Sequence, residues 1–141
     1  MQVGDKIAFD KYEWRVLDLQ NNTALIITED IAELRAYHNR PGDVTWADCE
    51  LRGYLNGAFY DTFSEANRAR IMAVMNKNSD NLWYGAKGGD DTRDFIFLLN
   101  IEETVCKYFG DSSKNLENRS TKQRYWFQKK DENNIKRRSA F

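Results

Sequence analysis

Apolar and polar residues alternate with a period of two at the start of the chain. Ile7 and Phe9 alternate with Lys6 and Ala8, and Tyr12, Trp14 and Val16 are separated by Glu13 and Arg15. That period puts every second side chain on one face of an extended backbone, so two strands are predicted. Asp10-Lys11 is the turn between them. Gln20-Asn21-Asn22 marks a second turn. The following run, Thr23 to Thr28, has a continuous apolar centre that suits a strand buried on both faces. The opening third is therefore predicted as an antiparallel meander.

The period changes after Pro41-Gly42. Leu51, Tyr54, Leu55 and Phe59 recur at three and four residues, which predicts a helix from about Trp46 to Tyr60 with one stripe against the sheet. Glu50, Arg52 and Asn56 then face water, and Thr45, with Asp48 three positions on, is the expected cap. Ser64-Glu65-Ala66-Asn67 opens a shorter helix to about Met72, with Arg68 and Arg70 exposed and Asp61-Thr62-Phe63 as the corner before it. Residues 76–93, rich in Asn, Ser, Asp and Gly, read as an irregular surface loop carrying Trp83 and Tyr84. Phe95 to Leu99 reads as a central strand. Asn100, with Glu103 three positions on, then caps a helix that buries Ile101, Val105 and Phe109 and ends at Gly110.

These elements make an α+β fold, an antiparallel N-terminal meander with packed helices. Residues 1–110 form a single domain core and 111–141 a basic polar extension whose one apolar cluster is Tyr125-Trp126-Phe127. The charge divides the same way: 12 Lys+Arg against 18 Asp+Glu up to Gly110 gives −6, and 9 against 4 beyond it gives +5. The basic segment suggests phosphate contact, but the acidic body and the lack of a nucleic-acid motif argue against a nucleic-acid partner. No apolar run reaches the roughly 18 residues of a membrane span, and Met1 to Lys6 has no basic region before an apolar stretch, so a cytoplasmic protein is expected. Cys49 and Cys106 lie far apart with no Cys-x-x-Cys pairing, which favours free thiols over a zinc site.

Several segments together carry a family resemblance: Gly4 to Phe9, Tyr12 to Asp18, Ala24 to Glu29 and Leu51 to Gly57. It continues through Phe59-Tyr60, Phe63-Ser64, Ala69 to Ile71, Asp91-Thr92 and Ile96 to Leu99. As an ordered set over about residues 4–110 they resemble a bacterial family of domains of unknown function. That family is similar to the C-type lectin-like fold, which also underlies formylglycine-generating enzymes and variable receptor-binding proteins of some phages. Typical members continue with a Trp-Trp-Leu-Arg-Ser-Pro run and a closing Gly-Val-Arg-Pro-Ala segment. This chain stops at Arg137 to Phe141 without them, so the resemblance implies an incomplete lectin-like domain. Unpaired sheet edges and self-association are then expected.

The candidate chemistry is sparse. His38 has no nucleophile beside it, and Cys49 falls in the first turn of the predicted helix as a packed thiol. Gly88 to Asp94 holds three carboxylates, Asp90, Asp91 and Asp94, without the spacing of a calcium loop, and its glycines do not form a phosphate cradle. Trp83 and Tyr84 are the residues most suggestive of recognition, because flat aromatics stack on sugars or bases at little entropic cost; the competing reading is that the two rings tuck back onto the core and pin the loop. The expected function is a non-catalytic binding or interaction module for a protein or glycan. Its ligand-binding residues are Trp83, Tyr84, Asp90, Asp91 and Asp94, with no catalytic residue, metal or cofactor. Two alternatives stand beside it: an enzyme assembled from Cys49, His38 and the Asp90 to Asp94 loop, and a truncated domain without independent activity.

Overall fold

Two asparagines in succession set the second turn of the chain. Asn21 and Asn22 both take left-handed backbone, with φ of 47° and 63°, the combination that matches the twist of a two-residue hairpin. Asp10 does the same for the first turn at φ 55°. The computed structural model describes residues 1–81, 86–100 and 102–108, and at 105 and 106 the backbone alone. The two turns join strands β1 (Lys6–Phe9), β2 (Tyr12–Gln20) and β3 (Thr23–Thr28) into an antiparallel sheet of order β1-β2-β3. A bulge between Val16 and Asp18 interrupts the β2–β3 register, and Val16 and Leu17 are consequently both buried although adjacent. β3 is an edge strand with Leu25, Ile26 and Ile27 half-buried, so it is not covered on both faces as its apolar run suggested.

The helical region starts later than the sequence indicates. Thr45 precedes a short 3₁₀ turn, Trp46–Asp48, and its hydroxyl makes no capping bond. The chain then extends at Cys49, whose sulfur accepts the amide of Arg52 and so caps helix α1 (Glu50–Tyr54). α1 continues directly into a π-helical turn, Leu55–Phe59. Ser64 caps α2 (Glu65–Arg68) by accepting the Asn67 amide, as its sequence predicts. Asp10 ties the first hairpin turn to this cap, accepting from the Ser64 amide and the Asn67 side chain at 3.0 and 2.9 Å.

The apolar stripe of the long helical segment meets the sheet in one cluster of Trp14, Cys49, Leu51, Leu55, Phe59 and Phe63. Aromatic rings dominate it. Phe59 stacks on Tyr12 and meets Phe63 edge-on at 5.6 Å, and the Trp14 indole donates to the Phe9 carbonyl at 2.9 Å, so its polar edge is satisfied inside the core.

A second sheet pairs β4 (Val74–Asn76) with β5 (Thr92–Asp94) antiparallel. The expected central strand from Phe95 to Leu99 does not form. The side chain of Asn56 takes the place of a neighbouring strand instead, its Oδ1 accepting the amides of Phe95 and Ile96 at 2.7 and 3.1 Å. Asn100 and Glu103 form the expected reciprocal cap, each side chain accepting the other's amide, ahead of a π-helical turn, Glu103–Lys107. Ile101, Phe109, the Val105 side chain and the segment 111–141 lie outside the described residues. The fold is α+β, and among the described residues no helix is long and apolar enough to cross a membrane.

Candidate functional site

Asp94, at the end of β5, is fully buried and, among the described residues, is the only buried charged side chain. Its Oδ2 accepts from the Trp46 indole at 2.9 Å, the Asn76 amide at 2.9 Å and the Thr92 hydroxyl at 2.7 Å. Its Oδ1 accepts from Arg52 Nε at 2.6 Å. Burial alone drives a carboxyl toward its neutral form, but here the four donors outweigh it and hold Asp94 below the usual carboxylate range. Arg52 is itself oriented by the carbonyls of Ala47 and Arg93, at 3.1 and 3.4 Å. One carboxylate thus joins the 3₁₀ turn, α1, β4 and β5.

The same network reaches the loop between β4 and β5, residues 77–91. Thr92 donates to Asp94 and accepts from the Asn78 side chain at 3.1 Å. Asn78 also donates its side-chain amide to the Asp90 carbonyl at 2.8 Å and its backbone amide to Asp91 Oδ1 at 3.1 Å. Farther out, Asp80 accepts from the Gly88 amide and from Lys87 Nζ, and the Asn81 amide donates to the Ala86 carbonyl at 2.8 Å. Two glycines permit this closeness. A Cβ on Gly88 would stand 2.0 Å from the Asn78 carbonyl oxygen. Gly89, at φ +81°, lies so near Thr45 that a side chain would meet it at 2.7 Å. The described limbs, 77–81 and 86–91, form no helix or strand, as the composition indicates, yet they are cross-braced at every level described.

The residues singled out from sequence are distributed unevenly around this loop. Asp90 and Asp91 are exposed on its returning limb, Asp94 is buried beneath it, and Trp83 and Tyr84 lie outside the described residues. Cys49 is buried, and burial, against smaller opposing bonds from Arg52 and Tyr37, pushes its thiol pKa up. His38 is half-buried, and its Nδ1 accepts the Glu50 amide at 3.3 Å. Among the described residues no group of three His, Cys, Asp or Glu side chains is placed to hold a metal ion.

Trp46, Arg52, Asn76, Asn78 and Thr92 carry the network, and none of them stands out in the sequence as a site residue. The one signal for them was the alternation Thr92-Arg93-Asp94, a strand pattern with two polar residues facing inward.

An α+β domain with a polar node beneath a braced loop is thus the class of protein the geometry defines. The chain belongs to the family described as Domain of unknown function (DUF6273), whose model matches residues 21–141. No curated protein and no solved structure matches the chain.

Proposed function

We propose that the chain is a non-catalytic binding module for a protein or glycan ligand, and that loop 77–91 is its recognition surface. The carrying observation is the bracing of that loop from Asn78 and Asp80 down to Asp94. Limbs held in place before a ligand arrives lose less conformational freedom on binding. In this reading Trp83 and Tyr84, between the two braced limbs in sequence, supply flat apolar contact. Asp90 and Asp91 supply rim carboxylates for hydroxyl or amide donors. Asp94 acts from below, as the anchor of the surface. A lectin-like scaffold is compatible with binding and with catalysis alike, so the choice rests on the site. The raised thiol of buried Cys49 supports the non-catalytic side, since the thiolate is the nucleophile. A free thiol also fits a reducing, cytoplasmic setting.

The test is a thermal-melt screen of the full chain against a glycan panel and a peptide library, repeated on the Trp83→Ala, Tyr84→Ala double variant. A ligand selective for the folded state raises the midpoint saturably, and the shift is expected to vanish in the double variant. Binding that survives the double variant refutes the assignment of the loop. Silence across both panels contradicts the binding module itself.

A further inference from the structure

Asn56-Gly57 is the only Asn-Gly step in the chain. Such a step is chemically labile, because the glycine nitrogen, unshielded by a side chain, can reach the preceding side-chain amide. We propose that Asn56 is a deamidation site gated by folding, protected in the native domain and modified when the chain opens.

The reaction is self-contained. The Gly57 nitrogen attacks Asn56 Cγ, forming a C–N bond and a five-membered imide. The Cγ–Nδ2 bond breaks, and ammonia leaves with the proton that Gly57 gave up. Water then opens the ring to aspartate or isoaspartate.

The native structure opposes each requirement of the first step. Asn56 is in the π-helical turn Leu55–Phe59, where helical backbone tilts the side chain toward the preceding turn and away from the Gly57 nitrogen. The amide is also held at both ends. Nδ2 donates to the carbonyls of Arg52 and Ile96 at 3.1 and 2.8 Å, and Oδ1 accepts from Phe95 and Ile96. Turning Cγ toward Gly57 would break all four bonds.

The product could not restore this clamp. Aspartate at position 56 has no donor for the two carbonyls, and isoaspartate adds a methylene to the helix backbone. An episode of unfolding would therefore leave a permanent mark and turn reversible opening into irreversible loss.

The experiment incubates the intact chain at mildly alkaline pH in buffer and in denaturing urea, and follows the Asn56-Gly57 peptide by mass spectrometry. Protection should follow the rarity of the open state, so deamidation in buffer should be at least ~100-fold slower. Gly57→Ala is the second arm. No atom lies within 4 Å of a Cβ built there, so the folded state accepts it, and the added methyl should slow the reaction in urea. Equal rates in buffer and urea overturn the gating, and an unchanged urea rate in Gly57→Ala overturns the assignment to this step. Chain deamidated in urea should melt at a lower midpoint after refolding than a briefly exposed control. An identical midpoint would refute the role of the clamp.

Discussion

Replacing Asp94 by Asn changes one atom of the node and no volume, so its effect isolates the charge and the pattern of acceptors. The carboxylate serves four donors, three on Oδ2 and one on Oδ1. An asparagine that keeps its oxygen toward Trp46, Asn76 and Thr92 must turn its NH₂ toward Arg52 Nε, donor against donor. Removing one partner of a buried pair costs about 3–5 kcal/mol. The Arg52 side chain retains 28% exposure and two carbonyl partners, which places the expected loss near the lower end, about 3 kcal/mol. For a chain of this size that is a fall in melting midpoint of about 10 °C. Urea unfolding followed by tryptophan fluorescence and circular dichroism measures it, with an unchanged m-value as the sign that the loss lies in the folded state. Trp46→Phe removes a single donor and should cost about 1 kcal/mol. If Asp94→Asn costs less than Trp46→Phe, the node is not what holds these elements together.

Gly88→Ala should destabilise the β4–β5 unit and shift or broaden the NMR signals of residues 77–81 and 86–91, because its Cβ meets the Asn78 backbone rather than a yielding side chain. Phe59→Ala should cost about 4 kcal/mol in urea unfolding, since the ring is buried at the meeting of sheet and helix. Acid should weaken the fold in a defined window. Glu29 accepts from Arg15 and Lys6, which lower its pKa from 4.5 to about 2, and Asp94 is lowered as well. Both folded values lie below the unfolded ones, so these groups contribute fully above about pH 4.5; the Glu29 part is lost as pH falls toward about 2, and the Asp94 part is lost as pH falls below the ordinary carboxylate range. Melting midpoints across that range should decline, and a flat profile would contradict the assignment.

The meander was legible because alternation and the Asn21-Asn22 turn are local signals that tertiary contacts reinforce. The bulge at Leu17 was not, since an extra residue in a strand leaves no mark beyond broken alternation. The polar residues of the helix misled most. Arg52 and Asn56, four apart, have the spacing of a solvated face, yet they turn toward Arg93 to Ile96 and meet that segment's polar groups. The same two residues account for the failed strand: the apolar run from Phe95 invites sheet pairing, but Asn56 supplies its hydrogen bonds from a side chain. Asp94 sat among acidic neighbours and resembled them in sequence. Its burial depends on donors 2, 18, 42 and 48 positions away, from Thr92, Asn76, Arg52 and Trp46, and no local pattern encodes that.

Amide hydrogen exchange in loop 77–91, compared between the native chain and Asp94→Asn, tests most directly whether the buried node holds the candidate recognition surface in place. The amides of Asn78, Asn81 and Gly88 donate within the loop and its base. They should exchange at least ~10-fold more slowly than free amides in the native chain and lose that protection in the variant. Free-amide exchange in the native chain, or protection that Asp94→Asn leaves untouched, would contradict the account.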